Sequence, residues 1–90
     1  MKTVFIFNGA GSQFPGAVFS EYGIAADWIK KHSLTGVLTS YPIDMGVYEW
    51  AIEHGNFKAT HDYQKEPKFI QKFTSASLKH YHFEDGTECK

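Results

Sequence analysis

Arginine is missing from this chain: all nine of its basic residues are lysines. A guanidinium is the planar fork that grips phosphates, guanine edges and carboxylates in pairs, whereas an ammonium acts as a point charge. The net charge is −1. No concentrated basic surface is there to release counterions from a nucleic acid, so that class of partner is excluded. Cysteine is nearly as scarce. Cys89 stands alone and cannot form an internal disulfide, the usage of a reducing compartment. Long apolar runs are lacking too, since no window approaches the ~20 residues of a membrane span. Met1-Lys2-Thr3 and the short apolar stretch after it do not make a secretory signal. The chain reads as soluble and cytoplasmic, without a membrane partner.

What is abundant is aromatic: eight Phe, five Tyr and two Trp, 17% of the 90 residues. A domain this small buries only about 60–65% of its unfolded surface, so its stability rests on dense packing. Each buried ring removes on the order of 150–250 Å² from water, and core packing is the main use expected of these rings.

The spacing predicts a strand over 2–8, apolar on both faces (Phe5 and Phe7; Val4 and Ile6), as for a strand covered on both sides. A glycine-rich loop over 9–16 leads to a short strand, 17–19. A helix follows over 21–32, capped by Ser20, with Ile24, Ala25, Trp28, Ile29 and His32 on its inner face. Residues 37–41 read as a strand halted by Pro42. Asp44 is placed to cap a helix over 45–54 whose buried stripe is Val47, Tyr48, Ala51 and Ile52, and Gly55-Asn56 to stop it. A polar connector, 58–67, ends at Pro67. Residues 69–73 and 78–83 then read as the two arms of a C-terminal β-hairpin, with Asp85-Gly86 as a further turn.

The order is β-β-α-β-α-β-β. It predicts a single α+β domain over 1–86 with one mostly antiparallel or mixed sheet, two helices packed on it, and a short tail at 87–90.

The loop after the first strand is the natural place to look for chemistry. As a dinucleotide cradle it supplies Gly9 and Gly11, but Phe14 stands where a third glycine is needed, and Pro15-Gly16 oppose immediate helix entry. As a P-loop it lacks Gly-Lys-Ser/Thr. Phe5-x-Phe7-x-Gly9-x-Gly11-Ser12-Gln13 resembles the opening strand of the malonyl/acyl transferases over about a tenth of the chain. It departs from them at Asn8, where that family has proline, and no Gly-His-Ser-x-Gly elbow supplies a nucleophile. Two uses remain: a turn between strands, or a cradle of backbone amides for a small anion or polar ligand built from Asn8, Gly9, Gly11, Ser12 and Gln13, beside Trp28 or Tyr41.

Among five histidines, His80 and His82 share a strand face and are the weak candidates for a metal, with no third ligand dictated by spacing. His32 and His54 end helices, where imidazolium complements the dipole. Thr74, Ser75 and Ser77 read as a polar turn, with no acid placed to orient His80 as a base. No cofactor and no catalytic residue are expected.

Charge is distributed unevenly. Residues 40–57 carry Asp44, Glu49 and Glu53 without a lysine, and residues 58–80 carry five lysines against Asp62 and Glu66. An acidic helix with Trp50 at the border of its stripe is a candidate docking face (Asp44, Glu49, Trp50, Glu53) for a basic protein partner.

Over nearly its full length the chain resembles a family of small bacterial proteins known as a domain of unknown function. The resemblance is carried by Phe7-Asn8-Gly9-Ala10, Phe14-Pro15-Gly16-x-Val18-Phe19-Ser20 and Trp28-Ile29-Lys30-Lys31-His32. It continues through Gly36-Val37-Leu38-Thr39-x-Tyr41-Pro42, Gly46-Val47-Tyr48-x-Trp50-Ala51-Ile52-Glu53, Phe69-Ile70-x-x-Phe73-Thr74-Ser75-Ala76-Ser77 and His80-Tyr81-His82. It implies no activity or cofactor. Small acidic-faced domains of this kind are often met as immunity or accessory proteins to bacterial toxins. The expectation is a non-enzymatic protein-binding module with a basic toxin domain as a possible partner, the alternatives being a small-ligand binder at loop 8–16 and a metal binder at His80 and His82.

Overall fold

The computed structural model describes residues 2–90. One antiparallel five-stranded sheet runs in the order β2-β1-β3-β4-β5. Its strands are β1 (Thr3–Gly9), β2 (Ala17–Phe19), β3 (Gly36–Pro42), β4 (His80–Glu84) and β5 (Thr87–Glu88). The helices are α1 (Tyr22–Lys31), α2 (Val47–Glu53) and the single turn α3 (Pro67–Ile70), with a 3₁₀ turn at Asp62–Lys65. The β-β-α-β-α-β-β order of a small α+β domain is thus present. Two compact units can be distinguished. The first runs through Ile43 and resumes at Leu78–Lys90, and the second is Asp44–Ser77.

In the first unit, β1 lies between β2 and β3. Phe7 pairs with Leu38, and Leu38 with Tyr81, so one face of the sheet carries a row of large apolar side chains. Ala25 and Ile29, four residues apart on α1, meet Phe7, Leu38 and Phe83 there, and all five are buried. Burying each of the larger four contributes about 1.5–3 kcal/mol. Trp28 closes the side of this core, edge-on to Phe7 at 5.7 Å and tilted on Phe19 at 5.4 Å. Ile24 and His32, expected on the inner face, are exposed instead. The buried contact of α1 is therefore narrower than its apolar positions suggested. Glu21, not Ser20, is the N-cap, and it makes no side-chain capping bond.

Three features lock the far end of this unit. Asp85 (φ +49°) and Gly86 (φ +87°) form a tight left-handed turn between β4 and β5. The turn lies against the end of α1, with the Gly86 amide donating to the Leu34 carbonyl at 2.8 Å and the Asp85 amide to Thr35 Oγ1 at 3.0 Å. A Cβ on Gly86 would come within 3.2 Å of both Ser33 and Lys30 Cα. The Tyr22 hydroxyl donates to the Glu88 carboxylate, tying α1 to β5. That hydrogen bond, helped by burial, holds the phenol up at about 12.

The second unit is organised by rings. Tyr48 of α2 lies 5.8 Å from Phe57 and 5.5 Å from Phe73, and Phe57 lies 4.7 Å from Phe73. The Tyr48 hydroxyl donates to the Gln64 carbonyl at 2.9 Å, and the Gln64 side-chain oxygen accepts from the Thr60 and His61 amides. The connector expected to be merely polar is therefore pinned into a turn. Residues 69–73 are not a strand. Glu66 is the extended N-cap, Pro67 stands at the first helical position, and Phe69, Ile70 and Phe73 have helical spacing. The C-terminal hairpin is β4–β5 instead. Asp44 does not cap α2: it sits at φ +61°, and Gly46 is the N-cap. Ala51 is buried, but Ile52, expected in the stripe, is 41% exposed.

Candidate functional site

In the first unit, alternation along the strands puts Asn8, Val37 and His82 in one row on the face opposite Phe7. The Cys89 amide donates to the His82 carbonyl at 2.8 Å, which continues that row by one residue. The Gly9–Ser12 turn rises at the end of the row. It is fastened by the Ala10 amide to the Thr35 carbonyl (3.0 Å) and the Ser12 amide to the Gly9 carbonyl (3.0 Å), with Gly11 at φ +79°. Turn and strands together enclose an open depression of about 420 Å³, lined by Asn8, Gly9, Gly11, Ser12, His82 and Cys89 among others. Four of the five loop residues expected to form a cradle thus share one concavity. Gln13 is not among its lining residues, and neither are Trp28 and Tyr41.

His82, Glu84 and Cys89 at this depression were not anticipated. The register signal was in the sequence: an Asp-Gly turn at 85–86 pairs Glu84 with Thr87 and so sets His82 beside Cys89. His80 and His82 do share a strand face, their rings 5.4 Å apart. His80 Nδ1 lies 2.7 Å from the Leu78 carbonyl, leaving Nε2 as its free nitrogen. Among the described residues no group of three or more His, Cys, Asp or Glu could hold a metal ion.

In the second unit, Asp44, Glu49 and Glu53 rim a second open depression of about 450 Å³, whose apolar lining includes Met45 and Ile52. Glu49 and Glu53 are one helical turn apart, which stacks their carboxylates on one side of α2. Glu49 folds back over the start of its helix, its Oε1 2.6 Å from where a Cβ on Gly46 would sit. Trp50, the fourth residue expected on this face, stacks on His54 at 4.7 Å instead and does not line the groove. Ile52 takes its place as the apolar contact.

Fold and surfaces together define a small α+β domain that presents shallow, open depressions. The chain belongs to the DUF7710 family, a domain of unknown function, whose pattern matches residues 4–89. No curated protein and no solved structure matches the chain. Among the described residues no helix is long and apolar enough to cross a membrane.

Proposed function

We propose that this protein is a non-enzymatic protein-binding module whose acidic groove on α2 receives a basic, partly apolar segment of another protein. One observation carries the reading: three carboxylates, those of Asp44, Glu49 and Glu53, surround a groove whose floor includes the 41% exposed Ile52. Exposed ion pairs contribute only about 0–1 kcal/mol each. The carboxylates therefore steer and orient the partner, while Met45 and Ile52 supply the apolar contact that retains it. Basic toxin domains belong to the class of partner that has this chemistry. The single Cys89 supports a reducing, cytoplasmic setting. Fluorescence anisotropy with a labelled amphipathic lysine–phenylalanine peptide tests the reading. Saturable, salt-sensitive binding that drops at least ~10-fold in Glu49→Lys/Glu53→Lys is expected, and equal binding by both proteins refutes it.

A second reading has its own support. The depression under the Gly9–Ser12 turn joins the Asn8 and Ser12 side chains to His82 and Cys89, a setting for a small polar ligand. A thermal-shift screen of nucleotides, sugars and acyl-CoA tests it, because a ligand that binds only the folded state raises the melting temperature.

A further inference from the structure

The second unit carries two surfaces of opposite charge. Besides the acidic groove, Lys68 of α3 and Lys72 of the turn that follows it flank Phe69 and Phe73 around an open depression of about 330 Å³. Both lysines are exposed, and both phenylalanines are half-buried in the ring cluster. Each surface therefore sets side chains of one charge sign beside apolar ones, and the signs are opposite. With a net charge of −1, two copies approach each other without appreciable overall repulsion.

We propose that the occupant of the acidic groove is the Lys68–Thr74 surface of a second copy of this chain. This rests on the protein-binding reading of the groove and assigns its partner. Lys68 and Lys72 would meet the carboxylates of Asp44, Glu49 and Glu53, and the edges of Phe69 and Phe73 would cover Ile52 and Met45. Each copy offers one surface of each kind, so the contact closes reciprocally into a two-fold dimer or runs head-to-tail into a ring or an open chain.

Sedimentation velocity over a concentration series, with charge-swapped variants, tests the proposal. The wild type should associate as concentration rises, and less so as salt rises. Glu49→Lys/Glu53→Lys and Lys68→Glu/Lys72→Glu should each associate at least ~10-fold more weakly alone. Mixed in equal amounts they should recover association, because the first variant keeps the native lysine surface and the second keeps the native acidic groove. Circular dichroism of each variant separates lost contact from lost fold, and recovery on mixing cannot come from unfolded chains. A wild type that stays monomeric, or one whose association ignores both variants, overturns the proposal. The groove reading is decided separately: a monomeric wild type that still binds the lysine–phenylalanine peptide retains the groove and loses only the second copy as its partner.

Discussion

Gly36 faces Gly9 across β1 and β3 so closely that a Cβ on Gly36 would lie 2.4 Å from the Asn8 carbonyl oxygen and 2.9 Å from Gly9 Cα. Phe7 Cζ would stand 2.8 Å away. Two of these three neighbours are backbone and cannot rotate aside. The pair thus brings the glycine loop down onto β3 and lets the buried Phe7 ring lie over the crossing.

Gly36→Ala should destabilise the protein by about 1–3 kcal/mol, since overpacking here must move β1 itself. In a domain this small each kcal/mol lowers the melting temperature by roughly 4–8 °C. Gly23→Ala is the contrasting case. It lies in α1, its Cβ would meet nothing within 4 Å, and it should stabilise by up to about 1 kcal/mol. Thermal melts of the two variants check both signs.

The Tyr22–Glu88 bond predicts a specific alkaline sensitivity. The folded phenol titrates at about 12 against an ordinary 10, so its proton is held more tightly in the folded state. Its stabilisation is complete below pH 10 and is lost as pH rises from 10 to 12. Tyr22→Phe has no such proton. Denaturation midpoints should fall less steeply through that window in the variant than in the wild type, and parallel profiles would refute the link.

Phe73 joins Tyr48, Phe57 and Phe69 in the ring cluster of the second unit. Phe73→Ala should cost about 2–3 kcal/mol, below a full core value because the ring is half-buried. Tyr48→Phe, which removes only the bond to the Gln64 carbonyl, should cost about 1 kcal/mol. Urea denaturation of the two variants measures that ordering.

Cys89 is an exposed free thiol at the glycine-loop depression. Maleimide labelling should proceed without denaturant and should shift the amide resonances of Gly9, Gly11 and Ser12. If a polar ligand is found by thermal shift, the label should abolish its effect. Unchanged resonances at the turn would remove Cys89 from that site.

The legible parts of the fold were those fixed by local chemistry. Asp85-Gly86 announced its turn, 17–19 its strand, and Gly55 its left-handed stop at φ +73°. Phe69-Ile70-Gln71-Lys72-Phe73 was misread because a short apolar run fits either period, and Pro67 at the first helical position was the cue that decides it. The caps at Ser20 and Asp44 failed because both residues are good caps by type, whereas the extended residue before each helix is Glu21 or Gly46. The acidic groove was legible from Asp44, Glu49 and Glu53. Its apolar contact was not, because a helical wheel does not show which border of the stripe is left uncovered: Ile52 is open, and Trp50 folds onto His54.

The groove itself is tested most directly by amide chemical-shift mapping of the isotope-labelled protein titrated with the lysine–phenylalanine peptide. Progressive, saturable shifts should centre on Met45, Glu49, Ile52 and Glu53 and vanish in Glu49→Lys/Glu53→Lys. Shifts confined to 8–12 and 82–89, or no shifts at all, would contradict the account.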